Sequence, residues 1–218
     1  FRIFDNHNPF QLNKSRKIKY YVLVLNLLIL GFISSCANPP TLKIATSANM
    51  QFAMEELVEA FQEENDFAVD LIVSSSGKLS AQIEQGAPFD VFVAANMKYP
   101  QSLSDKGLTT SEPKNYANGR LILWTTKDID PSWGLLTTNK IQKIAIPNPK
   151  TAPYGEAAVY FLKEIGIYDK IKHKLVFGES ISQTNLFISS KSADCGLTSM
   201  SIVNSPNLFE KGEHYEAD

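Results

Sequence analysis

The stretch SSSGKLSAQIEQGAPFDVFVAAN, Ser74 to Asn96, sets three hydroxyls, a glycine and a lysine directly ahead of a helical pattern. Hydroxyl donors beside a helix start, where backbone N–H groups lack intrahelical acceptors, suit a negative ligand. A nucleotide loop requires G-x-x-x-x-G-K-[ST]. Gly77-Lys78 supplies its central pair, but Ile72 stands at the first glycine and Leu79 at the magnesium-binding hydroxyl, so that pattern fails. Ser75 and Ser76 keep two readings: donors to a small anion, or a plain cap on the following helix. A second turn of the same kind lies upstream, Ala45-Thr46-Ser47-Ala48-Asn49, with Asn49 again a donor or a cap. In a parallel sheet both turns open at the carboxyl ends of strands, onto one crevice. That convergence favours the anion reading. Lys78, in the first helical turn, is expected to face solvent.

The elements that must position these turns alternate. Leu42-Lys43-Ile44-Ala45 predicts a strand, and Met50 to Asn65 a helix with Phe52, Met54, Leu57, Val58 and Phe61 at helical spacing. Glu55, Glu56, Glu59 and Glu63 lie on its other faces, as a solvated surface. Phe67 to Val73 predicts a strand, Lys78 to Gln85 a helix closed by Gly86 and Pro88, and DVFVA (Asp90 to Ala94) a strand buried by its composition. A second unit follows. Arg120 to Thr125, Ile144 to Ile146, Lys174 to Phe177 and Cys195 to Thr198 predict strands. Gly155 to Ile165 predicts a helix with Ala157, Ala158, Phe161 and Leu162 inward, and Ser182 to Ser190 another. The alternation indicates an α/β chain of two lobes in series, with mainly parallel sheets and a crossover near Ala117 to Arg120.

Composition narrows the function classes. The 218 residues are 44% hydrophobic and 20% charged with a net charge of -2, which gives no electrostatic footprint for nucleic acid. His7, His173 and His214 are scattered, and Cys36 and Cys195 match no metal-ligand spacing, so no metal cation and no disulfide framework are expected. No G-x-S-x-G motif supports an exported esterase. Lys14, Arg16, Lys17 and Lys19 precede an apolar run from Tyr20 to Phe32 that is short for a membrane span of about 20 residues. Ile33-Ser34-Ser35-Cys36 then resembles a bacterial lipobox. The expectation is a lipoprotein signal peptide over 1–36, lipidation at Cys36 and a tether over 37–41. Export makes Cys195 a buried, inert thiol. The first residue is not Met, which leaves the start of the reading frame open.

Taken together, ATSANMQFAMEEL, SSSGKLSAQIEQGAPFDVFVAAN and IAIPNPKTAPYGEAA, in that order and spacing, resemble the periplasmic molybdate-binding proteins of ABC transporters. The resemblance runs from about Leu42 to about Val203. It implies a two-lobe periplasmic-binding-protein-like fold, with lobe 1 over 42–117 and lobe 2 over 118–205. It implies a tetrahedral oxyanion, molybdate or tungstate, held by neutral donors in the inter-lobe cleft, without catalysis and without a cofactor. Carried over by motif, Asn49 offers its side chain and N–H. Ser76, with Ser75 beside it, offers hydroxyls, and Tyr154 and Ile181 donate backbone N–H groups. Ser199 stands where some members place a ligand-contacting Tyr. The partners implied are a membrane ABC permease and, through Cys36, the membrane itself. The implied protein is monomeric, extracytoplasmic and anchored. Sulfate or another oxyanion, or a ligand-sensing lipoprotein, are the alternatives.

Members of that family continue with one more strand and a terminal helix that complete lobe 1. Ser205 to Asp218 is polar and reads as carrying no such pair. The expectation is a truncated chain with 206–218 as a C-terminal remnant, and a first lobe with an uncovered apolar edge.

Overall fold

A computed structural model of the chain describes residues 19, 21, 40–206, 208 and 211–217. Cys36 and, apart from the isolated Lys19 and Tyr21, the expected signal segment lie outside the described residues.

From Thr41 onward the order is β1 (Thr41–Ser47), α1 (Gln51–Glu64), β2 (Ala68–Ser74), α2 (Ser76–Glu84), β3 (Val91–Val93) and α3 (Lys98–Asp105). Then come β4 (Leu121–Thr125), β5 (Ile144–Pro147), α4 (Pro153–Glu164), α5 (Tyr168–Ile171), β6 (Leu175–Gly178) and α6 (Ile181–Ser189). β7 (Cys195–Ser199), α7 (Met200–Val203) and β8 (Glu213–Glu216) close the chain. The first sheet is wholly parallel, in the order β2-β1-β3. The second runs β6-β5-β7-β4-β8. Its β6-β5-β7 part is parallel, and β4 lies antiparallel to both β7 and β8.

The second sheet is covered on both faces because its strands are apolar at successive positions. Side chains alternate across a strand. Leu123 of β4 therefore joins Ile144, Ile146 and Leu197 on the face packed by Ala158 and Leu162 of α4. Its neighbours Ile122 and Trp124 join Ala145 on the opposite face, against Ile188 of α6. Each such fully buried side chain contributes about 1.5–3 kcal/mol of apolar burial. Cys195 belongs to the first of these clusters and is a free thiol. Burial, followed by the nearby Asp194 charge, pushes it up to about 12, so it stays protonated and inert as expected.

The first sheet is less covered, and several expectations change there. Among the described residues β3 pairs with β1 alone, and Val91 is 42% exposed, so DVFVA is an edge strand there rather than a buried one. On α1 only Met54 is buried, while Leu57 and Phe61 are exposed. The helical period of this segment is real, but one turn of apolar residues has no layer above it among the described residues. On α4, Ala157 is exposed and Phe161 is half-buried against Trp133, at a ring-centroid distance of 4.6 Å. Within 206–218, Glu213–Glu216 forms β8 on the edge of the second sheet, paired with Ile122 to Thr125, a strand that the sequence reading did not single out. An edge strand needs only one inward contact face, so Glu-His-Tyr-Glu forms one without an apolar signature.

Candidate functional site

The carboxyl end of β1 runs into a single 3₁₀ turn, Ala48–Met50, and the end of β2 runs into α2 through Ser75. The two strands are in parallel register up to Ser47 opposite Ser74, so both turns emerge side by side. From the second lobe, the starts of α4 and α6 face them. One small cavity of about 10 Å³ is lined by Ser47, Asn49, Ser75, Ser76, Tyr154 and Ile181, together with Ala48, Ala95, Ala152 and Pro153. All five residues expected to bind the ligand (Asn49, Ser75, Ser76, Tyr154 and Ile181) thus come together. A space of this size holds about one water in the arrangement described and excludes a sugar or a peptide.

The hydrogen bonds show that neither Ser75 nor Asn49 caps a helix through its side chain. Ser75 occupies the N-cap position of α2, in extended conformation, yet its side chain makes no capping bond. Its Oγ is buried and has no hydrogen-bond partner among the described residues. A buried unpaired hydroxyl costs about 1–3 kcal/mol, so such a group signals a missing partner. The contrast is Ser180, which does cap α6 by accepting from the Gln183 N–H at 3.3 Å. Ser76 Oγ accepts the N–H of Ala95 at 3.0 Å. With an acceptor site occupied, its hydroxyl hydrogen remains available to donate. Asn49 does not act as an N-cap either. Its Oδ1 accepts from Ser47 Oγ at 2.6 Å, which leaves the amide N–H groups as the free end.

The helix starts supply the remaining donors. Ser76, Tyr154 and Ile181 lie in the first turns of α2, α4 and α6, where N–H groups have no intrahelical acceptor. Pro153 at the start of α4 sets the helical φ, and Gly155 lets the helix press onto the end of β5. A Cβ at Gly155 would stand 2.2 Å from the Pro147 carbonyl oxygen. That close approach holds the Tyr154 N–H at the cleft. Three helices of nine or more residues therefore point their positive ends at one cavity. Every lining residue is neutral.

Residues outside the cavity are equally clear. Lys78 faces away and pairs with Glu179 of the second lobe, both partly exposed. Glu55, Glu56, Glu59 and Glu63 are exposed, as read. Ser199 is turned to Tyr154, donating to its hydroxyl at 2.9 Å, and it does not line the small cavity. Burial raises the Tyr154 hydroxyl above its ordinary value, and the Ser199 bond opposes this only in part. A larger furrow of about 950 Å³ runs along β3 and touches Asn49, Tyr154 and Ser199, but Ser75, Ser76 and Ile181 are not in it. Contacts across the cleft tie the lobes around the small cavity. Gly77 N–H donates to the Thr151 carbonyl at 2.9 Å, and Ser201 Oγ to the Asn49 carbonyl at 2.6 Å. Lys98 pairs with Glu156 at 3.2 Å. Among the described residues no His/Cys/Asp/Glu group could hold a metal cation, and no helix is long and apolar enough to cross a membrane.

Sequence reasoning missed Ser47 and Ser201, because a hydroxyl that supports another residue leaves no spacing signature. Comparison with known proteins adds the following. Residues 42–217 match the family described as bacterial extracellular solute-binding protein. The molybdate-binding protein ModA of Azotobacter vinelandii is 34% identical over 176 residues, which is 79% of this chain and 70% of that protein. ModA of Rhodobacter capsulatus is 34% identical over 162 residues, 73% of this chain and 64% of its own length. The solved structure of the Azotobacter vinelandii periplasmic molybdate-binding protein superposes with a TM-score of 0.76 at 32% identity, covering 81% of this chain and 79% of that one.

Proposed function

Because the chain belongs to the bacterial extracellular solute-binding proteins, we propose that it captures molybdate between its two lobes and delivers it to an ABC importer. The observation that carries this reading is the uncharged cavity where donors gather: Ser75 with an unpartnered buried hydroxyl, Ser76 with its hydrogen free, and three helix starts. In this reading Ser75, Ser76 and Asn49 donate from the first lobe, and Tyr154 and Ile181 donate main-chain N–H groups from the second. Charge is balanced by aligned dipoles and not by a paired cation, so the ion is held without a titrating partner. Binding bridges the lobes and favours the closed arrangement that Gly77–Thr151 and Ser201–Asn49 describe.

Size provides selectivity over sulfate, because donors fixed by three helix ends cannot follow a smaller tetrahedron without lengthening their bonds. Tungstate is nearly isosteric with molybdate and is expected to compete. Solute binding, with no chemical step, is the whole activity. The chain works as a monomer, outside the cytoplasm, anchored by a lipid on Cys36. The sequence order of basic cluster, apolar run and Ser-Ser-Cys supports that anchor. Calorimetry of the purified protein with molybdate, tungstate and sulfate tests the reading. Strong binding of the first two, weak binding of sulfate, and loss of binding in the Asn49→Ala, Ser76→Ala double variant are expected. A folded protein that binds none of the three overturns it.

A further inference from the structure

Ser47 is the last residue of β1 and is only 2% exposed. It stands at the N-cap of the Ala48–Met50 turn in extended conformation, yet its hydroxyl caps nothing. The hydroxyl instead donates to Asn49 Oδ1 at 2.6 Å, between two buried side chains. The main chain of Asn49 is fixed separately, from the other lobe, by the Ser201 hydroxyl on its carbonyl. The position of Asn49 is therefore set by one contact and the direction of its amide by another.

An amide is ambivalent toward an anion. Its nitrogen end donates, and its oxygen end repels. Asn49 presents the useful end only while something else holds the oxygen. We propose that Ser47 is a positioning residue of the anion site: it ties down Asn49 Oδ1 and so commits the Asn49 N–H groups to the ligand. This inference rests on the oxyanion-binding reading and adds a residue that specifies it. Without the Ser47 hydroxyl, Oδ1 is left buried with no donor, and the amide gains by turning its oxygen toward the cavity, where it opposes an anion.

The test is a double-mutant cycle on the full chain, read by calorimetry with molybdate. Ser47→Ala is expected to weaken binding roughly tenfold, the scale of one hydrogen bond lost behind a charged ligand. Asn49→Ala weakens it at least as much. The Ser47→Ala, Asn49→Ala pair then binds no worse than Asn49→Ala alone, since Ser47 acts through Asn49. Ser47→Cys keeps the volume with a poor donor and is expected to match Ser47→Ala, which covers failure of the alanine variant to fold. Full additivity of the two losses overturns the inference, because Ser47 would then contact the anion itself. Wild-type affinity in both Ser47 variants also overturns it. No binding by the wild type overturns the oxyanion reading beneath it, and that result is distinct from either of the others.

Discussion

Replacing Ser75 by Ala separates the two roles that a serine ahead of a helix can play. As a cap, its loss costs about 1 kcal/mol of folding stability. For a domain of this size that lowers the melting temperature by roughly 2–4 °C. As a ligand donor with no partner in the protein, its removal takes away an unpaired buried hydroxyl and leaves every existing bond intact. The melting temperature of the ligand-free protein is then unchanged or slightly raised. Affinity moves the other way. A hydrogen bond to a charged group contributes about 1.5–3 kcal/mol, so molybdate binding weakens by roughly ten- to a hundredfold. Thermal melts with and without molybdate, alongside calorimetry, read both quantities on one sample. A clear drop in the ligand-free melting temperature with unchanged affinity would refute the reasoning, because it would make Ser75 a cap after all.

Four further outcomes are expected. Affinity for molybdate is flat between about pH 6 and 9 in titrations at fixed salt, since every lining residue is non-titrating there or, like Tyr154, has a hydroxyl raised above its ordinary value by burial. Above about pH 10 the unfolded chain ionises its tyrosines before the folded chain ionises Tyr154 and Tyr116, so stability measured by denaturant melts falls as pH rises through their raised values. Asp194→Ala destabilises the protein by about 2–4 kcal/mol in urea melts, because burial raises this carboxyl but Lys127 and the N–H groups of Lys143 and Gln142 outweigh it and hold it ionised. The wild type gains that stability above the ordinary carboxylate value of about 4 and loses it as pH falls further, through the lowered folded value. Charge reversal at Lys78 speeds molybdate release by a few-fold at low salt, seen by stopped flow, and the double reversal with Glu179→Lys restores it; these exposed pairs contribute modestly and are screened.

What the sequence discloses follows from how each group signals itself. Ser75, Ser76 and Asn49 are legible because side-chain donors at two strand-to-helix turns are visible as letters. Tyr154 and Ile181 are proposed to act through main-chain N–H groups, so nothing about a tyrosine or an isoleucine announces them, and only the family resemblance points there. Ser47 is invisible for the opposite reason, since its hydroxyl serves another side chain. The strands were legible wherever both faces are buried, as in RLILWT. Where a partner layer decides the outcome, composition misleads: DVFVA is apolar yet lies on an edge, and Leu57 and Phe61 keep the helical period on an uncovered face. α3 escaped notice because Pro100 sits in its first turn, where a helix tolerates it. β8 escaped because an edge strand can be almost wholly polar.

The most direct measurement is a crystal structure of the protein grown with tungstate, which marks its own position by anomalous scattering. The account predicts one strong peak in the cavity between the two lobes, within hydrogen-bond distance of Ser75, Ser76 and Asn49 from the first lobe and the Tyr154 and Ile181 N–H groups from the second. A peak bound instead beside Lys78 or another surface cation, or no peak in a cavity that remains closed, would contradict it.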